Sequence, residues 1–119
     1  VPEPAAPQPA YELVGAVPAG HPIATNVPEF LWAATGRASV VSPASHDKLT
    51  DRDVDDFEAQ LAEMGRLVGE RNGVLLILRT PLPTLTRPDE VARILPCAAM
   101  TYENDLALVY DLTPCAPAR

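Results

Sequence analysis

The chain of 119 residues has the length of about one domain, since domains typically contain roughly 100–150 residues. Apolar residues make up 47% of it and charged residues 21%, which is typical of globular proteins rather than disordered or fibrous ones. Sixteen acidic and nine basic residues give a formal net charge of −7, which argues against nucleic acids and anionic membrane surfaces as partners. The longest aliphatic run, Val74–Leu78, is far too short to span a bilayer.

The first ten residues, VPEPAAPQPA, are rich in proline and favour extended polyproline conformations rather than a helix. We therefore predict a Pro/Ala-rich spacer and lead-in over residues 1–16 and a single α/β domain over residues 17–119. Because the chain opens at Val1 with neither a methionine nor an apolar signal segment, we expect it to be a piece of a longer polypeptide.

The first part of the predicted domain alternates strand and helix. Residues 22–25 form a short apolar run that predicts a buried strand, and residues 38–42 predict the next strand. Residues 42–46 have the composition of a loop. Between the two strands, Asn26 and Glu29 have the spacing of a capping box, so we predict a helix that begins after Asn26 and ends at Gly36.

The clearest helix signal lies in the middle of the chain. Apolar residues recur there at spacings of three and four, which predicts a helix with one buried face. These residues are Val54, Phe57, Leu61, Met64 and Val68. We predict that this helix begins at Thr50, with Asp53 three residues later, and ends at Asn72 and Gly73. The acidic residues of its first turns lack the spacing of a calcium loop, so we interpret them as a solvated helix start.

The last part of the chain predicts a central strand, a short helix and a hairpin. Val74–Leu78 shows no polar alternation, which indicates a strand that is covered on both faces. Thr86 begins a third helix, which Pro96 ends, and residues 98–102 and 106–111 predict a β-hairpin. The fold class is therefore α/β, a small, twisted, mostly parallel sheet of about five strands with helices on both faces and a C-terminal β-hairpin.

Ligands in open α/β sheets bind at the carboxyl ends of parallel strands, and three polar residues fall there. These candidate ligand-binding residues are Asn26, His46 and Arg79. His46 and Arg79 together could hold a phosphate or a carboxylate. The alternative interpretation is that Asn26 is a helix cap, His46 a solvated loop residue and Arg79 a surface cation.

The sequence motifs predict no cofactor, no metal site and no catalytic residue. Neither the dinucleotide-binding nor the P-loop glycine pattern occurs, and no serine lies in a nucleophile elbow. Neither cysteine has neighbours that would lower its thiol pKa, and His21 and His46 are far from both cysteines in sequence.

Cys97 and Cys115 are predicted to form a disulfide, which is typical of extracytoplasmic proteins. They flank the predicted hairpin, but ideal pairing would place Cys97 near Leu112, so the chain must bend or bulge by about three residues for the sulfurs to meet. Two reduced, buried thiols in a cytoplasmic protein remain the alternative.

Residues 17–43, VPAGHPIATNVPEFLWAATGRASVVSP, resemble the C-terminal soluble region of polytopic glycosyltransferases of the GT-C type, which use polyprenyl-phosphate sugars. The similarity lies in a turn at residues 18–20, an Asn-x-Pro helix start at Asn26, a Thr-Gly-Arg turn at residues 35–37 and a strand ending at Pro43. In element order it continues through the glycine-preceded strand Val74–Leu78.

The resemblance implies a non-catalytic extracytoplasmic domain, attached through upstream sequence to a membrane glycosyltransferase of cell-envelope glycan assembly. The family's catalytic acid lies in the first extracytoplasmic loop and its lipid-sugar site among the membrane helices, so the isolated chain is expected to be inactive. The implied partners are the membrane portion of the same polypeptide and an envelope glycan or lipid-linked sugar. In that setting the domain would help to seat the acceptor.

Two other functions remain open at this point. The first is the ectodomain of a membrane-anchored lipoprotein or envelope-binding protein, with the proline-rich segment as its tether. The second is a small independent enzyme that uses His46 and Arg79.

Overall fold

The computed structural model describes residues 8–80 and 82–117. The helices are α1 (Gln8–Gly15), α2 (Pro28–Thr35), α3 (Phe57–Glu70) and α4 (Pro88–Ile94). The strands are β1 (Ile23–Thr25), β2 (Val40–Val41), β3 (His46–Asp47), β4 (Arg52–Asp53), β5 (Val74–Leu78), β6 (Ala99–Glu103) and β7 (Ala107–Asp111), followed by a 3₁₀ turn, Thr113–Cys115. In this described part of the chain, no helix has both the length and the apolar character that crossing a bilayer requires.

Five strands form one sheet in the order β2-β1-β5-β7-β6, and β3 and β4 form a separate antiparallel hairpin. β1 is parallel to both β2 and β5, whereas β7 is antiparallel to β5 and β6. All strands of the sheet except β7 therefore run in the same direction. The predicted mostly parallel α/β sheet with a C-terminal hairpin is confirmed, and β5 is its central strand as predicted.

Helices cover both faces of the sheet because its central strands bury side chains on both sides. On β5, Leu75 and Ile77 belong to a cluster with α3 and α4, whereas Leu76 belongs to a second cluster with α1 and α2. β7 divides in the same way, with Leu108 in the first cluster and Val109 in the second. Since successive strand residues point to opposite faces, a strand between two helical layers has no position for a polar side chain.

The long helix α3 carries the predicted apolar stripe but begins later than predicted. Phe57, Leu61, Met64 and Val68 are buried on the sheet. The helix begins after Asp56, so the predicted start at Thr50 is wrong. Residues 46–53 form the β3–β4 hairpin instead, in which Asp51 has a φ of 54°. Thr50 and Asp53 do have the spacing of a capping box. As a hairpin, however, the segment gains the pairing of β3 with β4 and the contacts of His46 with two aspartates.

The N-terminal segment differs from the predicted spacer. Residues 1–7 lie outside the described residues, and α1 begins at Gln8. The prediction that residues 1–10 form no helix is therefore wrong for residues 8–10. Pro9 lies in the first turn of α1, where its missing N–H removes no helical hydrogen bond. The helix buries Ala10, Tyr11 and Val14 in the second cluster.

Helix α2 ends as predicted but is not capped as predicted. Gly36 adopts the left-handed conformation with a φ of 72°, and its N–H donates to the carbonyl oxygen of Trp32 at 2.8 Å. At the other end, Val27 is the N-cap residue and no side chain caps the helix. The predicted cap by Asn26 is therefore wrong, because the Asn26 side chain makes other contacts, which are described below.

Cys97 and Cys115 form the predicted disulfide, with their Cα atoms 5.0 Å apart. Ala99 of β6 pairs with Asp111 of β7, so continued pairing would place Cys97 opposite Thr113 rather than Cys115. The 3₁₀ turn after β7 brings Cys115 back towards Cys97, and a bulge bends β6. The predicted departure from regular pairing is thus confirmed.

Candidate functional site

The three predicted ligand-binding residues lie in three different hydrogen-bonded arrangements. Asn26 follows β1, His46 belongs to the β3–β4 hairpin, and Arg79 follows β5. Among the described residues, no hydrogen bond or ion pair joins any two of these side chains. Each therefore has to be understood through its own partners.

Asn26 is only 2% exposed and joins the carboxyl ends of β1 and β5. Its Nδ2 donates to the carbonyl oxygens of Leu78 at 2.9 Å and of Thr86 at 3.0 Å. Its Oδ1 accepts the N–H of Leu78 at 3.0 Å. The amide therefore uses both of its N–H groups on the chain itself, and it satisfies a backbone carbonyl of the buried Thr86 and both backbone groups of the half-buried Leu78.

Thr86 extends this arrangement to the loop after β2. Its Oγ1 donates to the carbonyl oxygen of Pro43 at 2.6 Å and lies 2.5 Å from Oγ of Ser42. Because the hydroxyl proton of Thr86 goes to Pro43, the hydroxyl of Ser42 donates to Thr86. The predicted helix start at Thr86 is wrong, since α4 begins at Pro88 and the Thr86 side chain is buried in these contacts.

We call Asn26, Ser42 and Thr86 the polar plug. It lies at the carboxyl ends of β1 and β5, where the chain turns to helices on opposite faces of the sheet. In doubly wound sheets this is the crevice in which ligands commonly bind. Here side chains of the protein bond to one another and to the backbone at that place, so the plug stabilises the fold.

His46 connects the two strands of the small hairpin. Its Nδ1 lies 3.0 Å from Oδ1 of Asp53, and its Nε2 lies 3.0 Å from Oδ1 of Asp51. A carboxylate only accepts, so both contacts are hydrogen bonds only when both ring nitrogens carry protons. The hydrogen bond to Asp53, and after it the one to Asp51, raise the pKa of His46 above its ordinary value. The positively charged form of the imidazole therefore stabilises the hairpin.

Arg79 contacts the β6–β7 turn. Its Nε donates to the carbonyl oxygen of Asn104 at 3.1 Å, and its Nη2 donates to the carboxylate of Glu103. The guanidinium of Arg79 therefore contacts the β6–β7 turn, whereas the imidazole of His46 contacts the β3–β4 hairpin. Joint binding of an anion by these two residues stays a prediction.

The structure also contains an apolar groove that the sequence did not indicate. The β2–α3 groove, with a volume of about 610 Å³, lies between the edge strand and α3. Val40 and Val41 line it on the β2 side, and Met64 and Leu67 line it on the α3 side. Leu67 lies outside the buried stripe of α3 and is 49% exposed, so it adds an exposed apolar position to the groove side of this helix.

Two aromatic side chains on α2 are a further feature that the sequence reasoning did not single out. Phe30 is 61% exposed and Trp32 is 59% exposed, and they flank the fully buried Leu31. Large aromatic side chains are usually buried on average, so each of these exposed rings, on either side of Leu31, marks a candidate contact position. We call Phe30 and Trp32 the aromatic pair.

Within residues 8–80 and 82–117, no group of three or more His, Cys, Asp or Glu side chains is arranged to hold a metal ion. Comparisons with protein-family models, with curated proteins and with solved structures found no match for this chain. Three features of the described residues therefore bear on function: the polar plug, the aromatic pair and the β2–α3 groove.

Proposed function

We propose that this chain is a non-catalytic extracytoplasmic domain of a membrane glycosyltransferase that assembles cell-envelope glycans, and that it helps to seat the acceptor glycan. The observation that carries the proposal is the aromatic pair, two exposed rings on a helix that is anchored in the core through Leu31. The electron-rich face of an aromatic ring attracts the polarised C–H groups on the flat side of a sugar.

The polar plug supports a non-catalytic role. A reaction centre needs polar groups that are free to bind a substrate or move its protons. At the crevice between β1 and β5, Asn26 and Thr86 instead bond to Leu78, Pro43 and Ser42. The side-chain groups of Asn26 and Thr86 are thus already hydrogen-bonded within the fold, so we assign no catalytic residue to this edge.

The disulfide supports an extracytoplasmic location, because such bonds persist in oxidising compartments and are rare in the cytosol. The membrane portion of the same polypeptide remains the proposed covalent partner, on the basis of the resemblance of residues 17–43 to the GT-C family. Sequencing the gene upstream of Val1 tests this attachment. Several hydrophobic segments there would support it, whereas a single signal peptide with a lipobox cysteine would identify an anchored lipoprotein ectodomain instead.

Glycan binding can be followed directly, because Trp32 is the only tryptophan of the chain. We expect purified envelope glycan fragments to change its fluorescence in a saturable way, since stacking removes water from the ring. Phe30→Ala should weaken this binding while Trp32 still reports it. Leu49→Ala is the matched control, because Leu49 is an exposed apolar residue on the β3–β4 hairpin.

A fluorescence signal that does not respond to any envelope glycan would contradict the role in seating the acceptor. Equal binding by the parent chain and Phe30→Ala would contradict the assignment of the aromatic pair. Circular dichroism of both variants establishes that the fold is intact.

A further inference from the structure

The sheet has an open edge at β2 that carries apolar side chains. β1 is the sole strand beside β2 in the described part of the sheet. The N–H of Ser42 donates to Thr25 on the β1 side at 2.8 Å, so alternation along the strand directs the N–H and C=O of Val41 to the open edge. Edge strands are commonly protected by charges, but here Val40 is 49% exposed and Val41 is 61% exposed.

The α3 wall of the same groove has a self-complementary pattern. Glu63 and Leu67 lie four residues apart on one side of α3, and Arg71, the residue that ends the helix, follows Leu67 at the same spacing; all three line the groove. A twofold axis at Leu67 between antiparallel α3 helices would bring Glu63 close to the partner's Arg71, and the same contact would recur on the other side. Glu63 also contacts Arg66 of its own helix, but its side chain remains 53% exposed and can accept a second contact.

We propose that the β2–α3 groove is the interface of a symmetric homodimer of this chain. The β2 strands pair antiparallel across the twofold axis, so the two sheets become continuous and the free backbone groups of Val41 gain partners. The valines and Leu67 are covered, and each Glu63 pairs with Arg71 of the partner subunit. An interface of this kind requires that one surface complement itself, and the opposite charges on either side of Leu67 do so.

Sedimentation of the purified 119-residue chain tests the association itself. We expect a monomer–dimer equilibrium that depends on protein concentration and weakens as salt is added, because exposed charges are screened. Val41→Lys should shift the chain to monomer, since it places a charge on the open edge. Leu49→Lys adds the same charge to an exposed leucine of the hairpin and should leave the dimer unchanged.

Charge reversal tests the symmetry. Glu63→Lys alone and Arg71→Glu alone each create like-charge contacts at both ends of the interface, and each should weaken the dimer about tenfold. An equimolar mixture of the two variants should associate again, because in the mixed dimer both contacts join opposite charges. Glu29→Lys and Arg52→Glu are the controls, since they make the same charge changes at exposed positions that do not line the groove.

Three results would overturn the proposal. The first is a chain that stays monomeric up to about 1 mM, which would leave the groove to a different partner. The second is a dimer that Val41→Lys does not weaken. The third is a pair of charge variants that do not associate when mixed although circular dichroism shows both to be folded. Self-association is measured on the purified chain, so it stands or falls independently of glycan binding.

Discussion

The polar plug lies at the strand ends of the sheet and the β2–α3 groove lies at its edge, and the two sites differ in whether their backbone N–H and C=O groups have hydrogen-bond partners. At the plug, the buried Asn26 amide satisfies backbone groups of Leu78 and Thr86. At the groove, the outward backbone of Val41 has no strand neighbour among the described residues, and apolar side chains face solvent. The polar edge that first attracts attention is thus internally saturated, and the apolar edge is the one with unused contact surface.

This difference shows that polar side chains at a strand edge do not by themselves indicate a ligand. A buried amide with three hydrogen-bond partners stabilises the fold, and the same groups are then not free to bind a substrate. Free edge backbone and exposed valines have no such internal role, so they are better indicators of a partner.

The largest expected effect comes from breaking the plug. Asn26→Ala removes the partner of the buried carbonyl oxygen of Thr86 and of the half-buried carbonyl oxygen and N–H of Leu78, so it should lower the free energy of unfolding by about 3–5 kcal/mol. Asn104→Ala is a matched control, because Asn104 also makes three side-chain hydrogen bonds, but in the β6–β7 turn. Water can replace those bonds, and the expected loss is about 1 kcal/mol. Urea denaturation of the oxidised chain measures both, and equal losses would show that the plug is not essential to the fold.

The two sides of α3 give the next largest difference. Leu61 is fully buried on the sheet, so Leu61→Ala should lower the stability by about 2–5 kcal/mol. Leu67 lies in the groove and is half-exposed, so Leu67→Ala should change the stability of the monomer by less than about 1 kcal/mol. Thermal and urea denaturation at low protein concentration compare the two. A large loss for Leu67→Ala would mean that the groove wall supports the monomer rather than an interface.

The smallest expected effect concerns His46 in the β3–β4 hairpin. The folded-state pKa of His46 is raised, so its contribution to stability is complete below the unfolded pKa of about 6.5 and is lost as the pH rises through the folded pKa. We expect slightly lower stability at pH 8 than at pH 5.5. NMR titration of the His46 ring should show a lower pKa in Asp53→Asn than in the parent chain. An unchanged pKa in that variant would contradict the observed contact.

Much of the architecture is readable from local pattern. The apolar stripe of α3, the unbroken apolar run of β5 and the turn between β6 and β7 each predict their element, because each of these patterns is complete within a few residues. The disulfide was also predictable, since its cysteines flank a single hairpin. Local pattern was misleading where two local solutions compete, as at residues 50–53, which fit a capping box but form part of a hairpin.

The sequence by itself determined the α/β class, the central position of β5 and the two-sided core, and it predicted the disulfide that the structure shows between Cys97 and Cys115. Only the tertiary structure decided the role of Asn26, because its partners Leu78 and Thr86 are 52 and 60 residues away and outweigh the nearby cap. The open groove likewise depends on β2 lying at the end of the strand order, which no local pattern specifies. Periodicity reports which side of an element is buried, whereas strand order and long-range hydrogen bonds determine which buried groups are satisfied and which edge is left exposed.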